Sequence, residues 1–112
     1  MNKIYLDTNF YCTLHLLKNS VPLTGQLPNV QIMRNSDKLF LQEDLTFSSD
    51  EYYFSMDEIV SGLYQWELSL SLIDGMKKPD SYTIFYKTSI NNTEYFQSEQ
   101  LYTEYKNRSR LV

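Results

Sequence analysis

The side chains best equipped for chemistry in this chain are one histidine, His15, one cysteine, Cys12, and three adjacent acid pairs, Glu43-Asp44, Asp50-Glu51 and Asp57-Glu58. A histidine acting as general base or ligand needs a second group to orient it, and a metal site needs three or four donors at recognisable spacing. His15 shows no such company and sits with Thr13 on the polar side of an alternating stretch, so it reads as a surface residue. Cys12 keeps step with Phe10, Leu14 and Leu16 on the apolar side, where burial raises a thiol's pKa and blunts it as a nucleophile. A single cysteine makes no internal disulfide, in keeping with synthesis in a reducing compartment.

The acid pairs lack the alternating oxygens and central glycine of an EF-hand loop, which leaves only a looser calcium loop open. Gly25, Gly62 and Gly75 are isolated from one another, so no glycine-rich loop cradles a phosphate. Trp66 and the surrounding tyrosines could stack on sugar rings. Trp66 nevertheless shares its face with Tyr64, Leu68 and Leu70, so a core position is expected for it. The sequons Asn91-Asn-Thr93 and Asn107-Arg-Ser109 fit glycosylation only in an exported chain. No constellation for acid–base or nucleophilic catalysis is present in the sequence, so neither an enzyme nor a cofactor is expected.

The charges exclude a further class. With a net charge of -4, the chain has no broad basic surface for nucleic acid. Asp37, Glu43, Asp44, Asp50, Glu51, Asp57, Glu58 and Glu67 form an acidic middle relieved only by Lys38. Lys106, Arg108 and Arg110 give the last residues a basic character. The first residues contain no apolar run long enough for a signal peptide or membrane span, so a soluble, non-exported protein without membrane contact is expected.

The elements that position these residues read as strands. The 112 residues fit one domain, with ten Tyr and six Phe, no alanine and only three glycines, a composition that favours sheet over helix. Alternation predicts strands over residues 10–16, 29–34, 39–41, 63–72 and 82–88, with short edge pieces at Phe47 and at 52–54. The prolines and glycine of residues 21–28 make a kinked connection, and residues 73–80 a loop. Ser55 with Glu58 three residues on, followed by Gly62, predicts one helical turn over residues 56–61. Asn91-Asn92 offers a tight turn into a closing strand at 94–96. Beyond it, Leu101, Tyr102 and Tyr105 have helix-compatible spacing, although Tyr95, Tyr102 and Tyr105 equally suit a tail that orders on a partner. The expected fold is all-β: an immunoglobulin-like antiparallel sandwich of about seven strands over residues 1–97, with 98–112 as a C-terminal extension.

Motif order adds a resemblance. Pro22-Leu-Thr-Gly25, Val30-Gln-Ile32, Met56-Asp-Glu-Ile59, Ser61-Gly-Leu-Tyr64 and Ser81-Tyr-Thr-Ile-Phe-Tyr86 together resemble small immunoglobulin-like domains of tailed-bacteriophage virions, over residues 10–90. Asp80-Ser-Tyr82 is similar to the tyrosine corner of Greek-key sandwiches. The resemblance implies a non-enzymatic capsid auxiliary, head-fibre or tail-adaptor subunit, made in the host cytoplasm. Other virion proteins are its implied partners, engaged in many symmetric copies. The expected docking residues are Tyr95, Phe96, Tyr102, Tyr105, Lys106, Arg108 and Arg110, since aromatics and arginines most often anchor interfaces. Two rival readings are a glycan-binding adhesin module with exposed aromatics and a small inhibitor whose acidic middle mimics nucleic acid.

Overall fold

Alternating apolar residues build two sheets that share one core. The computed structural model describes residues 2–6 and 8–105. Its strands are β1 (Asn2–Tyr5), β2 (Asn9–His15), β3 (Leu17–Lys18), β4 (Val21–Pro22), β5 (Asn29–Arg34), β6 (Leu39–Leu41), β7 (Phe47–Ser48), β8 (Phe54–Ser55), β9 (Asp57–Val60), β10 (Leu63–Ser69), β11 (Ser81–Ile90) and β12 (Thr93–Glu104). The larger sheet runs β1-β12-β11-β5-β6-β7, with β8 also paired to β5. The smaller runs β2-β10-β9, and β3 with β4 forms a separate ribbon.

The period-two pattern fixes which side chains meet between the sheets. Val30 and Ile32 of β5, Tyr82, Ile84 and Tyr86 of β11 and Leu101 of β12 face Cys12 and Leu14 of β2 and Tyr64 and Leu68 of β10, all buried. Trp66 is only partly buried and stacks on Phe54, ring centroids 4.4 Å apart. Leu70, Ile73 and Met76 seal one end from two 3₁₀ turns, Leu70–Leu72 and Asp74–Met76.

Several local expectations change. Residues 57–60 form strand β9, not a helical turn, because they pair with β10 through a hairpin turned at Gly62. Gly62 has φ +75°, and a Cβ there would lie 2.8 Å from the Pro22 Cβ and 2.9 Å from the Leu16 carbonyl oxygen. The short helical segments sit instead after β10, where residues 70–72 leave the expected strand. The larger sheet is mixed rather than wholly antiparallel, because β1 runs parallel to β12, Asn2 opposite Leu101 through Tyr5 opposite Glu104. Tyr82 makes no corner: its buried hydroxyl has no hydrogen-bond partner among the described residues.

The boundary after Gln97 falls inside a strand. Residues 98–104 continue β12 between β11 and β1, with Leu101 and Thr103 buried, so they belong to the sheet and not to an extension. The spacing of Leu101 and Tyr102 that also fits a helix is overridden by this pairing. The β11–β12 hairpin turns at Asn91 and Asn92, with φ of 52° and 65°, the pair of positive values that a two-residue type I′ turn requires. This hairpin runs on beyond the reach of β5, which pairs β11 only from Tyr82 to Lys87, in a body measuring 54 × 30 × 20 Å.

Candidate functional site

The expected docking residues are divided by β12. Tyr95 and Phe96 lie near the hairpin tip, 53 % and 69 % exposed, and as neighbours in a strand they point to opposite faces of the sheet. Tyr102 lies at the other end, opposite Ser81 and beside Lys3 of β1. Seven residues of strand separate it from Tyr95, roughly 23 Å. Tyr105 follows the end of β12 and is half-exposed. Lys106, Arg108 and Arg110 lie outside the described residues. Among the described ones, Tyr95 and Phe96 are the two that adjoin in one strand.

Around that pair the strand edge is open. Among the described residues β1 covers β12 from Leu101 to Glu104, leaving residues 93–100 with β11 on one side and no described strand on the other. On the outer face, Phe96 and Ser98 border an open groove of about 580 Å³ whose floor and walls include Met33, Phe40, Tyr53 and Phe85. The Gln31 side-chain amide donates to Glu51 at 3.3 Å beside it, and the Lys87 ammonium lies 4.4 Å above the Tyr53 ring. On the inner face, Tyr95 joins Leu14, Leu16, Thr88 and Gln97 around a cleft of about 220 Å³. The Thr88 hydroxyl is buried there with no hydrogen-bond partner among the described residues. A second cleft of about 380 Å³, bordered by Leu16, Leu23, Ile90 and Tyr95, continues it toward the tip.

Beneath the open edge, polar groups lock β12 to the core. The Tyr86 hydroxyl donates to one Glu99 oxygen, and the Asn2 side-chain amide donates to the other at 2.6 Å. Burial pushes the Tyr86 phenol well above its ordinary value, with the Cys12 thiol and Glu99 adding to the shift. Burial likewise pushes the Cys12 thiol up to about 12, with the charge of Glu99 adding to it. Cys12 is thus a neutral packing residue rather than a nucleophile.

Met33 and Phe85 fall out of step with the buried residues of their strands, Val30 and Ile32 in β5 and Ile84 and Tyr86 in β11, and these two apolar exceptions are the sequence signal for the groove's lining. Nothing local in the sequence signalled the open edge, because it follows from where β1 stops. The chain matches no protein-family model, no curated protein and no solved structure in comparisons with each. The chemistry the site offers is that of an extended, aromatic-flanked strand edge.

Proposed function

We propose that this protein is a structural subunit whose work is attachment: an immunoglobulin-like β-sandwich component of a bacteriophage virion, joined to neighbouring virion proteins through the β11–β12 hairpin. The observation that carries the reading is the far half of the β11–β12 hairpin, which β5 does not reach, with Tyr95 and Phe96 exposed on opposite faces of a strand whose outer edge is open among the described residues. Exposed aromatics at a strand edge combine backbone hydrogen bonding with side-chain anchoring, the means by which partner strands are recruited. Two sheets closing on one core keep that hairpin in a fixed direction, and symmetric repetition multiplies weak contacts into durable ones. The two-layer core favours the sandwich assignment, while the parallel β1–β12 pair is its departure from the expected antiparallel pattern.

The test is mass spectrometry of purified virus particles assembled from the genome encoding this chain. The expected result is a fixed copy number of the protein, reduced to background when Tyr95 and Phe96 are both replaced by Ser in a protein that still folds. Particles that lack the wild-type chain overturn the proposal.

A second reading is supported by the outer-face groove, where Phe40, Tyr53 and Phe85 could stack on sugar rings beside the polar Gln31–Glu51 pair. Under it the protein is a glycan-binding module that uses these rings rather than Trp66, which packs on Phe54. Glycan-array binding that Tyr53→Ala abolishes would favour this reading; an array without signal would remove it.

A further inference from the structure

We propose that the open edge of β12 is the seat of a second copy of this chain, paired antiparallel about a two-fold axis at Phe96. The inference goes beyond attachment to virion proteins, and it rests on pairing geometry alone. Two hydrogen bonds fix the direction of the backbone groups. The Thr103 amide donates toward β11, to the Asp80 carbonyl at 3.0 Å, and the Glu104 carbonyl accepts from the Leu6 amide on the β1 side, also at 3.0 Å. Strand alternation extends this along β12, so odd-numbered residues bond to β11 and even-numbered ones face away. Glu94, Phe96 and Ser98 thus present their N–H and C=O groups outward, where no strand of the described residues lies beside them. Such an edge is a template for an added strand.

Three features make an identical β12 the fitting occupant. First, with Phe96 opposite its own copy, Glu94 falls opposite Ser98, so each outward residue meets an outward residue and about six backbone hydrogen bonds form. Second, the facing pairs are compatible: Tyr95 meets Gln97, Thr93 meets Glu99, and the two exposed Phe96 rings meet each other on the outer face. No two carboxylates face one another in this register. Shifting by one residue would set Glu94 against Glu99 and bring outward groups against inward ones.

Third, β1 sets the limit of overlap. Centring the pair on Gln97 would place Thr93 opposite Leu101, a position already held by Asn2 of β1. Centring it on Tyr95 shortens the overlap and sets Phe96 against Glu94. The Phe96-centred register is the longest that clears β1, with each hairpin tip abutting the start of the other copy's β1. The result is one sheet continuous across both copies.

Sedimentation velocity of the purified full chain over a concentration series tests this. A reversible dimer is expected. Ser98→Pro should leave the circular dichroism spectrum unchanged, since it removes only an outward N–H on an edge strand, and should abolish the dimer at concentrations where the wild type is fully dimeric. Paired residues at 96 have Cα atoms about 5.5 Å apart, within disulfide range, whereas two copies of residue 98 lie roughly 14 Å apart. Phe96→Cys should therefore oxidise to a covalent dimer and Ser98→Cys should not, with the buried Cys12 silent in both. A wild type that stays monomeric into the millimolar range, or cross-linking equal at the two positions, overturns the proposal.

Discussion

The Tyr64 hydroxyl, inside the core, donates a 2.8 Å hydrogen bond to the Leu23 carbonyl and so ties the proline-containing connection before β5 to the start of β10. The same hydroxyl accepts from the Gln26 amide at 3.0 Å. One buried oxygen thus satisfies two backbone groups of a segment that no sheet pairs. Tyr64→Phe keeps the ring and strands both groups. A loss of about 1–2 kcal/mol is expected in urea denaturation, with faster amide exchange confined to residues near Leu23 and Gln26.

Truncation tests the place of β12 in the fold. Removing 98–112 deletes Leu101 and Thr103 from the core and the partner of β1, and a chain without a cooperative unfolding transition is expected. A folded product of that deletion would contradict the role assigned to β12.

Cys12 gives a chemical readout of the core. With the thiol held near 12 in the folded chain against 9.0 ordinarily, no reaction with an aromatic disulfide reagent is expected at pH 8 until the protein unfolds, when one thiol should titrate. The folded value is raised, so the contribution to stability is complete below pH 9.0 and is lost as pH rises from there toward 12. Cys12→Ala should show a shallower decline over that interval in denaturation experiments.

Glu58 works in the opposite direction. Its carboxylate accepts from the Gly62 amide at 3.0 Å and the Gly25 amide at 3.1 Å, and these bonds, Gly62 first, hold it below its ordinary value of 4.5. A depressed pKa contributes stability above pH 4.5 that disappears as the pH falls through the folded-state value. The stability gap between wild type and Glu58→Gln should therefore narrow on acidification below 4.5; a gap independent of pH would show that the two amide bonds are not what the charge serves.

At Gly62, backbone and space act together. Gly62→Ala combines a positive φ with contacts under 3.0 Å to Pro22 and the Leu16 carbonyl, and a destabilisation of at least about 2 kcal/mol is expected. Gly25→Ala, also at positive φ but with open space around its Cβ, should cost less, about 1 kcal/mol. Chemical denaturation of the two variants side by side checks the order.

Legibility followed the range of each signal. The buried set Tyr82, Ile84 and Tyr86, the pair Cys12 and Leu14, and the Asn91-Asn92 turn were all written in local alternation or turn chemistry, and so could be read from sequence. The stretch around Glu58 was misread because a carboxylate that accepts from Gly62 four residues on serves a hairpin as well as it would a helix end. The parallel pairing of β1 left no mark, since nothing near Asn2 encodes Leu101. The same non-local fact hid the open edge of β12 and made residues 98–104 part of the sheet. Tyr102 and Phe96 could be named as aromatic anchors, but their separation along β12 depended on residues 98–104 being extended.

The pairing of β1 with β12 also bears on how the molecule is made. Asn2 bonds Glu99 across 97 positions, so β1 has no partner until nearly all the other described strands have been synthesised. Loop closure over such a separation is slow, and the edge that β1 caps stays bare meanwhile. Maturation is accordingly a late event. A nascent chain paused before β12 carries β1 as an orphan segment, a state that chaperones or neighbouring polysomes would meet before the finished fold exists.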